Sequence, residues 1–258
     1  MGILNVTPDS FHATSRATIT EDLIIKAGEM LKAGADILDM GGQSTRPGAT
    51  RISAEEEKSR IIPAIEAVHR SFPEAIISVD TFYATVAEDA VSAGASIIND
   101  VSGGAIDQDM FETVGKMHVP YVLTHIQGEP QTMQHNPTYQ DVIGEIVYYF
   151  SEKIDLLKRA GVKDILLDPG FGFGKKIEHN LQIMKELDQF NIFGMPVLVG
   201  LSRKKTIQQL LDVDAANALN GTTIMNTLAL AGGAQILRVH DVKEAKEVVK
   251  VMMALNAV

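Results

Sequence analysis

The sequence predicts an α/β fold, a single (β/α)8 barrel domain spanning residues 1–258, from three observations. Eight short apolar runs recur along the chain, nearly all of them stop at a polar residue or a glycine turn, and helical signatures fill the intervals. Strands that alternate with helices argue for a parallel sheet wrapped by helices, not for segregated layers. A chain of 258 residues, 45% hydrophobic, is the usual size for one such barrel and buries a large core without staples.

In chain order the runs are GILNVT (2–7), ILDM (37–40), IISVD (76–80), IIND (97–100), YVLTH (121–125), ILLD (165–168), VLVG (197–200) and ILRVH (236–240). Strand interiors of a parallel barrel are packed by apolar side chains, and the chemistry gathers where strands hand over to loops. Asn5, Asp80, Asn99, Asp168, Lys204, Arg238 and His240 stand at or just past those ends, so they are expected to converge on one mouth. Met1 abuts the first strand, so either the chain is trimmed there or the lower face of the barrel is open.

Of the helices, the clearest is expected from about Thr138 to Ala160. Ile143, Val147, Phe150, Ile154 and Leu157 recur there every three or four residues, with Asn136 and Pro137 to open the helix and Gly161 to end it. Ser53 with Glu56 reads as a capping box for another, in which Pro63 removes one backbone bond. No linker or low-complexity tract divides the chain. The longest connections, residues 8–20 and 41–52, follow the first two strands, and loops of this length on a barrel can close over a substrate.

The absence of cysteine rules out disulfides, Fe–S clusters, thiolate metal sites and a cysteine nucleophile, and it fits a reducing cytoplasm. A net charge of -10 without a clustered Lys/Arg face argues against nucleic acid. No apolar run approaches the roughly 18 residues of a membrane span, and the N-terminus lacks the plan of a signal peptide. A soluble, cytoplasmic protein acting on small molecules is expected.

The chemistry must therefore come from oxygen and nitrogen groups. Asp168 opens DPGFGFGK (168–175), where three glycines allow sharp turns; it is either a turn-and-cap residue or a partly desolvated carboxylate that accepts two parallel N–H donors. Asp80 before Thr81, and Asn99 before Asp100, would each be a cap in isolation. Together with Asp168 they offer the mixed donors and acceptors a flat heterocycle needs. Lys204 lies in GLSRKK between Arg203 and Lys205, and one of these cations is expected to reach the pocket while the others face solvent. Arg238 and His240 alternate along a strand, share a face, and with Asn5 suit an anion. Thr45, Arg46 and Pro47 lie on the second long loop, with Arg46 either solvated or brought in on closure. His69, His118, His135 and His179 show no ligand spacing and are expected to face solvent, and the methionines to fill the core.

Eight motifs, in order, make this chain resemble dihydropteroate synthases from first strand to last. They are GILNVTPDSF (2–11), GGQSTRPGA (41–49), SVDT (78–81), INDVSGG (98–104), HIQGEPQTMQ (125–134), DPGFGFGK (168–175), GLSRK (200–204) and RVHDV (238–242). The resemblance implies an enzyme of folate biosynthesis that joins para-aminobenzoate to 6-hydroxymethyl-7,8-dihydropterin pyrophosphate. By motif it implies that Asp80, Asn99 and Asp168 hold the pterin with Lys204 beside it, and that Asn5, Arg238 and His240 take the pyrophosphate with Mg2+. Thr45, Arg46, Pro47, Phe11 and Ser202 would surround para-aminobenzoate. Asp9 and Arg46 join Lys204, Arg238 and His240 as catalytic groups, and Phe173 and Gly200 line the substrate site. It also implies a homodimer formed through outer helices, with Ala229, Ala231, Gly232 and Gly233 able either to permit close helix contact or to pack on the barrel. The chain departs from the family at residues 12–16, where Ser-Asp-Gly-Gly is common, at Gln43, where glutamate is frequent, and at Thr124, where methionine is. Two alternatives are a pterin-binding methyltransferase acting on methyltetrahydrofolate, against which GLSRK and RVHDV argue, and a catalytically silent pterin-binding paralogue.

Overall fold

Eight parallel strands form the frame: β1 (Gly2–Asn5), β2 (Ile37–Gly41), β3 (Ile76–Asp80), β4 (Ile97–Asp100), β5 (Tyr121–Thr124), β6 (Ile165–Asp168), β7 (Leu198–Val199) and β8 (Ile236–Leu237). The computed structural model describes residues 1–6, 16–43, 50–128, 133 and 136–257, without the side chains of residues 16–19. β1 to β6 make one continuous sheet in sequence order and β7 pairs with β8. Single parallel bridges, Leu167 to Val197 and Gly2 to Val239, join the two pieces on both sides and close the ring.

Alternation along the strands sorts the residues into two packing layers, because successive side chains of a strand point to opposite faces. One apolar cluster contains Ile97, Val122, Leu166 and Leu198, with Met1, Ile37 and Ile236 against it: one position from each of seven strands or their approaches, filling the barrel. The intervening positions, among them Leu4, Leu38, Met40, Ile77, Val79, Ile98, Leu123, Leu167, Val199 and Leu237, join the helices in a second, larger core. Two residues beyond six of these seven positions, at the upper end of the same strands, come Asp39, Asn99, Thr124, Asp168, Gly200 and Arg238.

The helices are α1 (Arg16–Lys32), α2 (Ala54–Ser71), α3 (Ala84–Ser92), α4 (Met110–Met117), α5 (Val142–Arg159), α6 (Ile177–Lys185), α7 (Lys205–Leu211), α8 (Leu219–Ala231) and α9 (Val242–Asn256), with a 3-10 segment at Leu187–Phe193. α5 starts later than its periodicity suggests. Gln127 takes both backbone groups of Thr138, the Glu145 carboxylate takes the N–H groups of Gln140 and Asp141, and Asn136 has a left-handed φ of 51°. Those bonds hold residues 136–141 outside the helix, and Asp141 is its N-cap, accepting from Gly144 at 3.1 Å. At α2 half of the expected box forms: Ser53 Oγ accepts from Glu56 N at 3.2 Å, whereas the Glu56 carboxylate pairs with Arg60. The helix continues through Pro63 to Ser71. Met253 is 68% exposed on α9, so not every methionine fills the core. Gly232 and Ala229 are also settled. A side chain on Gly232 would meet Leu187 at 3.2 Å, and Ala229 is fully buried, so these small residues pack inward.

Candidate active site

Register places the polar strand ends before any side chain is considered. Asn5 pairs with Gly41, Gly41 with Asp80, and Asp80 with Asn99, so these four positions share one level around the barrel. Asp168 lies one layer higher, level with Thr124. Below, at the level of Ser78, lies Asp39, which the sequence hides inside an apolar run.

Asp39 is the hub. It is completely buried, and it accepts from Ser78 Oγ at 2.7 Å, from Asn99 Nδ2 at 3.2 Å and from Arg238 Nε at 2.6 Å. Arg238 spans to the next carboxylate with Nη2 2.7 Å from Asp80 Oδ2. The guanidinium thus bridges two carboxylates from strands on the opposite side of the chain closure, and planar forked donors suit that task. Although burial opposes its charge, Asp39 and Asp80 raise the Arg238 pKa. Burial pushes the Asp80 pKa upward, helped by Asp39 and Asp100 and resisted by Arg238 and Lys204. Because Asn99 donates its amide N–H2 downward to Asp39, its carbonyl oxygen is the group turned toward the mouth.

Asp168 is 6% exposed, and its Oδ1 accepts the Gly170 N–H at 2.7 Å, as the turn reading of this residue expects, while its burial makes it the desolvated carboxylate of the other reading. Burial raises its pKa against the pull of Lys204, that N–H, Arg238 and Lys175. Lys204 crosses to the same loop: Nζ donates to Phe171 O at 2.5 Å and lies 4.3 Å from the Phe173 ring centroid. Its pKa is pushed down to about 8, chiefly by burial, with Arg238 adding to the effect and Asp168 and Asp80 opposing it.

Ser202 is buried and Gly200 with it, at the start of the segment leading to α7. Ser202 Oγ accepts the His240 N–H at 3.1 Å and lies 3.0 Å from His240 Nδ1, which fixes the ring of an otherwise exposed histidine. Arg203 does not face solvent as expected. Its guanidinium pairs with both oxygens of Asp241 at 2.8 Å and reaches the carbonyls of Ala215 and Ala216. Its backbone is left-handed, with φ 53°, a conformation costing about 1–3 kcal/mol for such a residue, which these bonds hold in place. The strained residue separates Ser202 from Lys204 and aims both at the site. His179 is likewise only partly exposed, with its Nδ1 accepting from Lys176 N at 3.2 Å, whereas His69 and His118 are exposed as expected. Asp9, Phe11, Thr45, Arg46, Pro47 and His135 lie outside the described residues.

Several groups in and around the site escape the sequence reading. Asp39 carried a signal, a carboxylate in the interior of a buried strand at the parity of Gly41. Asp100, by contrast, points to the helical layer, where it accepts from Tyr121 Oη at 2.7 Å and from the N–H groups of Ser102 and Gly104. Glu57, on α2, binds Gln43 and Thr81 behind the site. Neither it nor Lys175 carried a pattern that would have set it apart from a surface charge.

A model for pterin binding enzymes matches residues 1–240 of this chain. Dihydropteroate synthase of Escherichia coli (strain K12) is 44% identical over 256 residues, which cover 98% of this chain and 90% of that protein. The chain belongs to the dihydropteroate synthase family. It is, with those relatives, an enzyme of folate biosynthesis. The dihydropteroate synthase of Bacillus subtilis (strain 168) is 41% identical over 257 residues, covering 99% of this chain and 87% of its own length. Among solved structures, the Yersinia pestis dihydropteroate synthase in a sulfonamide drug complex superposes with a TM-score of 0.93 at 40% identity, covering 100% of this chain and 94% of that one. The Xanthomonas albilineans dihydropteroate synthase with 4-aminobenzoic acid gives 0.93 at 39% identity, covering 100% and 92%. All of these family members support the barrel read from the strand bridges.

Proposed function

We propose that this chain joins the aniline nitrogen of para-aminobenzoate to the exocyclic methylene of 6-hydroxymethyl-7,8-dihydropterin pyrophosphate, releasing pyrophosphate and 7,8-dihydropteroate. The observation that carries this reading is the meeting, at one mouth, of the buried acceptors Asn99 and Asp168 and the largely enclosed Asp80 with the cations Lys204 and Arg238. Asp168 and Asp80 accept the pterin N–H donors. Lys204 stands beside the ring, and Phe173 and Gly200 line its pocket. Arg238 commits Nε and Nη2 to Asp39 and Asp80 and keeps Nη1 for an anion, with His240 next to it on the Ser202 hydroxyl. Asp9, Phe11, Thr45, Arg46 and Pro47 belong to the two long loops that bring in para-aminobenzoate, beside Ser202.

Among the described residues no three His, Cys, Asp or Glu side chains form a metal-binding group, and Asn5 offers a single neutral oxygen. That donor set fits Mg2+ held mainly by diphosphate oxygens and water, with Asn5 as the contact from the chain. When bound, the ion supplies positive charge to the departing pyrophosphate. Arg238 and His240 add to that stabilisation, while Asp80 and Asp168 favour the cationic pterin left when the C–O bond breaks. The aniline then attacks with its own lone pair and loses its proton to solvent, so no activated nucleophile is needed. A large 13C isotope effect at the methylene, as direct displacement gives, would refute this dissociative order; a small one is expected.

The reading extends to a cytoplasmic homodimer that binds sulfonamides in the place of para-aminobenzoate. An absence of cysteine supports the compartment. Exposed Leu210, Leu211, Ile224, Leu228, Val251 and Met253 on α7, α8 and α9 support association through those helices. The deciding assay measures pyrophosphate release from the dihydropterin pyrophosphate with Mg2+, with and without para-aminobenzoate. Release that yields dihydropteroate only when both are present is expected. Tight pterin binding without any release would overturn the reading in favour of a silent pterin-binding protein.

A further inference from the structure

Lys175 is one of the most enclosed cations among the described residues, 3% exposed, and none of its partners among them is a carboxylate. Its ammonium lies 3.0 Å from Gly170 O, 3.1 Å from Phe173 O, 3.2 Å from His125 O and 2.8 Å from His125 Nδ1. A lysine deprived of water is costly unless its charge is shared among acceptors, and four here enclose its three protons. Burial and Lys175 push the His125 pKa down to about 2, and the Lys175 ammonium, which can only donate, selects the tautomer of the neutral ring whose Nδ1 accepts.

These bonds complete a pattern along the loop after β6. Gly170 O and Phe173 O go to Lys175, Phe171 O to Lys204, Gly172 N–H to Asn180 Oδ1, and Gly174 O to Tyr139 Oη. Five consecutive residues, 170 to 174, thus each have a backbone group held by a side chain. The loop also lies directly on the backbone after β5: a methyl group on Gly170, where φ is +71°, would come within 1.8 Å of His125 O, and one on Gly174 within 2.3 Å of Gln127 O. No apolar contact could hold two polar backbones so close; a buried ammonium between their carbonyls can.

We propose that Lys175 is a positioning residue for the pterin end of the site: by gathering the carbonyls of His125, Gly170 and Phe173 it sets the loop that aims Asp168 and gives Lys204 its seat. This role rests on Asp168 and Lys204 being pterin contacts. Lys175 acts in two ways. It fixes the Gly170 N–H that holds Asp168 Oδ1, and the Phe173 ring under Lys204. Burial pushes the Lys175 pKa well down and Asp168 pulls it back up; protonated, Lys175 also adds a positive charge near Asp168, which is faced besides by Lys204 from the start of α7 and by Arg238 from the end of β8.

The experiment compares wild type with Lys175→Met, Lys175→Gln and Ile183→Ala, the last a fully buried residue of α6 chosen to lower stability away from the loop. Melting temperature, dihydropterin pyrophosphate Kd from pH 5 to 8, and inhibition by inorganic pyrophosphate are measured on each. Lys175→Met is expected to raise the pterin Kd at least tenfold. It should also move the acid limb of binding to higher pH, because losing a nearby cation makes Asp168 easier to protonate. Pyrophosphate inhibition should stay within about twofold. Lys175→Gln, which keeps donors but no charge, should recover part of the affinity and leave the limb shifted. Ile183→Ala should melt earlier with Kd and limb unchanged. A folded Lys175→Met with wild-type Kd and limb overturns the proposal; if that variant does not fold, a Lys175→Gln variant with wild-type Kd and limb does so. Wild type that fails to bind the pterin pyrophosphate would instead refute the functional reading on which it rests.

Discussion

Replacing Glu57 by glutamine should make the protein more stable at alkaline pH and change little at acid pH. Glu57 is fully buried where α2 meets the ends of β2 and β3. Its Oε2 accepts from Gln43 at 2.8 Å and from Thr81 at 3.2 Å, while among the described residues Oε1 has no hydrogen-bond partner. Burial, with the Asp80 charge behind it, raises its pKa from 4.5 to about 8. The folded protein therefore holds this proton more tightly than the unfolded chain does. The stability it contributes is whole below pH 4.5, declines as pH rises, and is gone once pH passes about 8. At ~1.36 kcal/mol for each pH unit between those limits, the full span is about 5 kcal/mol, of which about 3 kcal/mol lies above pH 6. Glutamine keeps the shape and an acceptor for Gln43 and Thr81 but never ionises.

Thermal unfolding of both proteins from pH 5 to 9.5 at fixed salt gives the test, because contributions from Asp100 and Asp168 cancel in the difference and leave Glu57 together with its coupling to Asp80. For a chain of this size about 3 kcal/mol corresponds to roughly 6–12 °C in Tm, with the variant the more stable at high pH. Curves that stay parallel to within ~1 kcal/mol across the whole range would mean that Glu57 is ionised in the folded protein, and the reasoning would be wrong.

Two further outcomes follow from the site. Asp168→Asn keeps the shape but sets an N–H2 against pterin or Gly170 donors, so pterin affinity should fall by about 1–3 kcal/mol, read by calorimetry; an unchanged Kd would leave Asp168 as a turn residue only. Arg238→Ala removes the cation between Asp39 and Asp80, and breaking a buried pair of this kind costs about 3–5 kcal/mol. Tm and pterin affinity should both fall, and a variant that melts within 2 °C of wild type would count against the bridge.

The Arg238 bridge is absent from the pattern of the sequence, and its absence shows where local patterns stop being informative. The strands, their order and the convergence of their polar ends were legible, because alternation and loop chemistry are local. Asp80, Asn99, Asp168 and Lys204 were found from their places after apolar runs. Arg238 was found too, but only as a cation for an anion, not as the partner of two carboxylates. Its engagement with Asp39 and Asp80 joins residues 199 and 158 positions apart, and no local pattern encodes a pairing set by barrel closure. The late start of α5 has the same origin, since Gln127 and Glu145 outcompete the helix for the backbone of residues 138–141. Lys175 and Glu57 looked like ordinary charges because only burial makes them otherwise.

The two-piece sheet gives the Arg238 bridge a meaning for folding. β1 to β6 pair in sequence order, so the arc bearing Asp39, Asp80, Asn99 and Asp168 can be assembled from neighbouring units before β7 and β8 are in place. Without β8, Asp39 and Asp80 lack the guanidinium that pairs with both of them. The last strand brings the counter-ion and, through Gly2 and Val239, the final seam. Zipping the ring shut and bringing Arg238 between Asp39 and Asp80 are one event, so a barrel without its last strand is electrostatically as well as sterically unfinished.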